Sequence, residues 1–257
     1  VDRRFTVDGN ELAAHLSLPS RTHARAQPGV VIAHGFPAEV GGGANSTKSF
    51  PELADRIAAE LGWVALAYAS RGVDDSEGDF SLEGWLRDLA GAVDHLDGSV
   101  RCDGLWIIGF GTGGSLAIVV AADDPRIRGV ATLASPADFS DWADDPRLLL
   151  AHAREIGIIR DPKFPDSIED WEAELTTVRA DSAAERLDDR ELLLIHGSAD
   201  EVVPVFDART LDDAYAGADL RIVPGGAHHL RHDPRAISVL FGWLDRQRAV
   251  LLAEREG

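Results

Sequence analysis

Two loops late in the chain carry imidazole and carboxylate side chains: Ile195-His196-Gly197-Ser198-Ala199-Asp200-Glu201-Val202-Val203-Pro204 and Pro224-Gly225-Gly226-Ala227-His228-His229-Leu230. Imidazole and carboxylate are the ingredients of general acid–base catalysis near neutral pH. A third stretch, Leu105 to Val119 (LWIIGFGTGGSLAIV), sets glycines at 109, 111, 113 and 114 between two apolar runs. It reads as strand, sharp turn and helix, the turn being tight enough to need positive φ at its centre and small residues where helix meets strand. An earlier apolar run, Val30 to Ala33, leads directly into His34-Gly35-Phe36-Pro37.

Other chemistries fit the residues less well. The run His228-His229-x-x-His232-Asp233 matches no zinc spacing, and Asp233 before Pro234 reads as a helix cap, so no metal is expected. The glycine cluster at 109–114 lacks the lysine of a phosphate-binding loop and the acidic partner of a dinucleotide site, so no cofactor is implied. Asp141-Trp142-Ala143-Asp144-Asp145 reads as a solvated surface. Cys102, ahead of its strand, is a small buried hydrophobe.

These residues need a scaffold, and the chain supplies a regular one. Residues 3–19 alternate around Asp8-Gly9-Asn10 and predict an amino-terminal hairpin. A polar linker, Arg21 to Gly29, follows. Buried-type strands are expected at Val30–Ala33, Trp63–Ala69, Leu105–Ile108, Gly129–Ser135, Glu191–His196 and Leu220–Val223. Between them the helical spacing of Leu53, Ile57 and Leu61, of Trp85, Leu89 and Val93, and of 204–216 and 233–254 predicts helices. Ser49-Phe50-Pro51-Glu52 has the pattern of a capping box, after a loop through Gly41-Gly42-Gly43 to Thr47. Alternation of this kind requires a mostly parallel sheet covered on both faces. Residues 136–187 break it with mixed polar segments and no strand signal, and read as a small helical cap over a single domain spanning 1–257. Trp142, His152 and Trp171 are candidates to line a pocket beneath that cap, although packing within it explains them equally well.

With 25 basic and 44 acidic residues the formal charge is −19, which repels phosphate backbones and anionic lipid surfaces. Nucleic acid and membrane are therefore not expected partners. Apolar runs are too short to span a bilayer, no signal peptide fits, and one cysteine suits a reducing compartment, so the expected location is cytoplasmic.

Taken together, the motifs resemble the α/β-hydrolase family of serine hydrolases and esterases. The stretch at 109–113 is similar to its GxSxG nucleophile elbow, with Gly111 where the family has serine. The resemblance implies an α/β fold, a mostly parallel sheet flanked by helices with a small helical cap. It implies Asp200 as the acidic member of a catalytic triad, with Glu201 one residue late, and His228 as the histidine, with His229 the rival in a slipped register. It also implies an oxyanion hole from the backbone N–H groups of Phe36 and Thr112, and substrate contacts from Phe36, Phe110 and Trp142. The element Arg71-Gly72-Val73-Asp74-Asp75-Ser76-Glu77-Gly78 is similar to the family's RGxGxSxG segment, with Asp74 for the middle glycine, and reads as structural.

Glycine has nothing to deprotonate, so the resemblance leaves three readings. The chain hydrolyses a small ester or related acyl compound with water as nucleophile, slowly. It binds a small ligand or a protein without turnover. Or Gly111 is a substituted nucleophile. Thr112 follows the elbow and is expected to point away from the cleft; Ser76, Ser135 and Ser198 are weaker substitutes.

Overall fold

A computed structural model describes residues 1–20, 26–38 and 49–255. The loop at 41–47 and the start of the linker at 21–25 lie outside the described residues. An eight-stranded sheet runs in the order β1-β2-β4-β3-β5-β6-β7-β8. The hairpin β1 (Asp2–Val7) and β2 (Asn10–Ser17) turns at Asp8-Gly9, both at positive φ, and β2 joins β4 (Val64–Tyr68) antiparallel. From there β3 (Gln27–Ala33), β5 (Cys102–Phe110), β6 (Ile127–Leu133), β7 (Glu191–Gly197) and β8 (Asp219–Val223) all pair parallel. This is the α/β-hydrolase arrangement that the sequence predicts.

The near-continuous apolar strands have a direct cause: each face of the sheet has its own core. Val31, Ile107, Leu192 and Leu194 pack on one side with helices α2 (Leu82–Ser99) and α3 (Thr112–Asp123). Val30, Ile32, Trp106, Ile108, Leu193 and Ile195 pack on the other with α1 (Phe50–Arg56) and α9 (Pro234–Glu254). Successive side chains alternate between faces, so a strand buried on both shows no polar period. Four short helices lie between β6 and β7: α4 (Ser140–Asp144), α5 (Pro146–Glu155), α6 (Ile168–Thr177) and α7 (Ala180–Ala184). Helix α8 (Val205–Ala214) connects β7 to β8. No helix among the described residues is long and apolar enough to cross a membrane.

Local signals hold in part. Asp233 caps α9, its side chain accepting from the Arg235 N–H, and Ser81 caps α2 by accepting from the Gly84 N–H. The capping box at Ser49 does not form: Ser49 has helical backbone angles and makes no side-chain cap bond, and its Oγ accepts from Arg231 Nη1 instead. Helix α1 still opens with Pro51 in its first turn, then widens into a π-helical turn over Ile57–Leu61 that ends at left-handed Gly62.

The Arg71 element is structural, as its sequence suggests. The Arg71 guanidinium donates to both carboxylate oxygens of fully buried Asp88 (2.7 to 3.1 Å) and to Asp8 of the hairpin turn (3.0 Å). Ser76 Oγ donates to Ala69 O and accepts from the Ala13 N–H, tying the same loop to β2. Breaking a buried pair strands its partner's charge, so Arg71→Ala is expected to cost about 3 to 5 kcal/mol. Urea denaturation measures it, and a cost under about 1 kcal/mol would mean the pair is not the anchor it resembles.

Candidate active site

The carboxyl ends of the parallel strands gather the loops that carry the chemistry. Between β5 and α3, Gly111 sits at φ 52°, ψ −126°, a backbone conformation that L side chains rarely adopt. Its N–H donates to Leu133 O (2.9 Å), and its carbonyl accepts from the Gly114 N–H (3.0 Å), which closes the first turn of α3. The neighbouring glycines are required by contact: a Cβ on Gly113 would fall 2.3 Å from His34 O, and one on Gly109 2.3 Å from Gly114 Cα. Helix and strand meet too closely for any side chain there. A Cβ on Gly111, by contrast, would meet only Gly35 Cα at 3.6 Å and His228 Nε2 at 3.9 Å, ordinary contact distances.

His228 follows β8 and Asp200 follows β7. Asp200 Oδ2 accepts from His228 Nδ1 at 2.9 Å. A carboxylate can only accept here, so Nδ1 carries a proton, and Nε2 faces Gly111. The Asp200 side chain is 0% exposed and that of His228 12%. Burial alone would raise the Asp200 carboxyl. Hydrogen bonds from His196, His228 and the Val203 N–H outweigh it and hold the group well below the usual carboxylate range. Asp200 Oδ1 accepts from the N–H groups of Val202 and Val203, both at 2.9 Å. Glu201 is exposed and His229 lies at the rim, so both sequence rivals stand outside the pair.

His34 fixes the turn that brings Phe36 to the site. Its Nε2 accepts from the Ser70 N–H (2.9 Å), so Nδ1 donates to Gly35 O (2.8 Å) and the ring is neutral. Full burial pulls the imidazole down to about 4, against the smaller opposing effect of the Gly35 bond. The unfolded chain protonates at its ordinary value near 6.5 while the folded one does not. The stability contributed is therefore complete above about pH 6.5 and is lost as pH falls toward 4, by about 3 kcal/mol in all. Urea midpoints from pH 7.5 to 4.5 should fall more steeply for the native protein than for His34→Gln; parallel slopes would refute this.

A cavity of about 710 Å³ opens onto Gly111 and His228. Phe36, Thr112, Trp142, Leu149 and His152 line it, with the Phe36 and Trp142 rings 5.0 Å apart. The exposed apolar side chains of Val202 and Phe206 line it as well. Phe110 does not belong to this site. Residues 106, 108 and 110 of β5 point to the face of α1 and α9, where the Phe110 ring packs against Phe50 at 4.9 Å. Trp171 is buried as well, its Nε1 donating to Phe80 O rather than facing the cavity. Ser76 is engaged far from the pair, Ser198 Oγ accepts from the Gly225 N–H, and Ser135 packs against Gly114. A smaller cavity of about 540 Å³ lies apart from these groups, against β1, β2, β4 and the Asp74-Asp75 turn.

His196 was not singled out by sequence. It is the penultimate residue of β7, its side chain 2% exposed, with Nε2 donating to Val203 O at 2.9 Å and lying 3.4 Å from Asp200 Oδ2. The available signal was one polar residue closing the apolar run Leu192–Ile195, beside the loop that carries Asp200.

A sheet of this order, with its tight turn between β5 and α3 and loops carrying acid and histidine after β7 and β8, defines an α/β hydrolase. The chain belongs to the X-Pro dipeptidyl-peptidase (S15) family, whose model matches residues 8–211. Similar solved structures include Est1E from Butyrivibrio proteoclasticus with ferulic acid bound (TM-score 0.75, 21% identity, 98% of this chain and 99% of that one). The α/β hydrolase GrgF from Penicillium sp. sh18 (0.74, 18%, 97% and 99%) and the esterase domain of a Rhodothermus marinus protein (0.70, 21%, 96% and 98%) are similar too. At these identities the likeness is one of fold. No curated protein matches the chain.

Proposed function

We propose that this protein hydrolyses a small carboxylic ester or related acyl compound by direct attack of water, with no acyl-enzyme. The observation that carries this reading is His228 Nε2, backed by Asp200, facing the space where a side chain on Gly111 would begin, 3.9 Å away. That space suits a water. His228 Nε2 takes the proton of the attacking water as its oxygen bonds to the acyl carbon, and Asp200 stabilises the resulting imidazolium. Backbone N–H groups of Phe36 and Thr112 receive the developing oxyanion. Collapse breaks the bond to the leaving alkoxide, which takes the proton from His228, giving acid and alcohol. In serine hydrolases that lose a triad member, about 10³- to 10⁴-fold over water remains, and this sets the scale expected here.

In this reading α4–α7 form the cap over residues 136–187, Phe36 and Trp142 hold the substrate, and the whole chain acts as one domain. No cofactor or metal enters the mechanism. Cys102, whose thiol is pushed up to about 11 by burial and by Asp97, is a poor nucleophile and fits a reducing, cytoplasmic setting.

The test is hydrolysis of short- and medium-chain activated esters, with an X-Pro dipeptide anilide included for the family, by the native protein and His228→Ala. Native turnover should fall in the variant to the level that the oxyanion hole and binding alone support. Equal rates would exclude the general-base role. Gly111 itself favours a second reading, a binding protein that retains the pocket; saturable binding of a non-hydrolysed acyl analogue with no turnover of any panel member would select it.

A further inference from the structure

Resting on the proposed role of the Asp200–His228 pair, we infer that His196 is a positioning residue that holds the Asp200 loop so that Oδ2 meets His228. Val203 is gripped from two sides. Its N–H donates to Asp200 Oδ1 at 2.9 Å, and its carbonyl accepts from His196 Nε2 at 2.9 Å. A carbonyl offers no proton, so Nε2 carries it, and the same N–H lies 3.4 Å from Asp200 Oδ2. His196 lies within β7, a strand paired on both sides by β6 and β8, and is itself paired with Ile222 of β8, which makes it the rigid member of the set. Backbone bonds hold the first half of the loop, from the Ser198 N–H to Val223 O, the Ala199 N–H to Gly226 O and the Asp200 N–H to Gly197 O. Its far end, at Val203, is fastened to β7 through the His196 imidazole, and the carboxylate is fastened to that end through two amides. Take the imidazole away and the Val203 carbonyl loses its partner, leaving the 201–203 end of the loop, with the two amides that hold Oδ1, free to shift and turn Oδ2 from His228.

His196 does not line the cavity and touches no reacting atom, so its effect passes entirely through Asp200. The Gln side chain can present an N–H near the position of Nε2; Leu fills the space without a donor, and Asn is too short to reach Val203 O.

Proton NMR of the full chain tests this without requiring turnover. The strong His228–Asp200 bond should give a resonance far downfield of the backbone amides, assigned by its loss in His228→Ala. It should persist in His196→Gln and disappear in His196→Leu, with far-ultraviolet circular dichroism unchanged. Should His196→Leu fail to fold, His196→Asn is expected to lose the resonance in a folded protein. A resonance retained in the Leu or Asn variant overturns the positioning role, as does its loss in the Gln variant. Its absence from the native protein would overturn the Asp200–His228 pairing itself, and with it the proposed function.

Discussion

Gly111→Ser is expected to raise ester hydrolysis by roughly 10³-fold or more, since nucleophile and base in a triad act as a unit. Little else has to move. The Cβ meets nothing closer than Gly35 Cα at 3.6 Å, and a hydroxyl one bond further lies within hydrogen-bond reach of His228 Nε2. The variant should also change the kinetic form. On the proposed mechanism native turnover takes one displacement, whereas the variant is expected to pass through an acyl-enzyme, visible as a burst of alcohol and a mass increase equal to the acyl group. A folded Gly111→Ser protein with no burst on any ester or dipeptide anilide would show that His228 is not aligned for proton transfer.

In that serine background, Asp200→Asn is expected to lower kcat by about 10⁴-fold with a much smaller change in KM. The carboxylate accepts the His228 Nδ1 proton and so fixes which nitrogen is the base; an amide can donate to Nδ1 and leave Nε2 carrying the proton. Because hydrogen bonds hold the Asp200 carboxyl well below the ordinary range, it stays ionised through the acid limb of the rate profile, which should report one group, not two. A fall in kcat under tenfold would mean that His228 keeps its tautomer without Asp200. Steady-state kinetics from pH 4.5 to 9 on both proteins decides this.

The sheet and its parallel strands were legible because burial on two faces writes long apolar runs, and the turn at 109–114 because close approach of helix and strand admits only glycine. Which face each side chain takes was not legible. Phe110 closes the elbow's strand and looks available to a substrate, yet strand alternation sends it to Phe50 on the far side. Ser49 has the local signature of a cap, but its hydroxyl is taken by Arg231, brought near only by the fold. His196 eluded reading for a related reason: its partners are a backbone carbonyl and an acid that a strand-to-loop turn folds back onto it. Motif order disclosed the pair of Asp200 and His228, since each lies at the end of its own strand.

The backbone at Gly111 has an energetic consequence for the molecule as a whole. A side-chain-bearing residue held at φ 52°, ψ −126° costs on the order of 1 to 3 kcal/mol, and serine hydrolases accept that cost to expose their nucleophile. Glycine adopts the same angles almost freely, and the penalty it brings instead, about 0.5 to 1 kcal/mol of extra disorder in the unfolded chain, is smaller. The elbow of this protein is thus a relaxed version of a sprung device: it keeps the shape of a reactive turn after giving up the tension that reactivity demands.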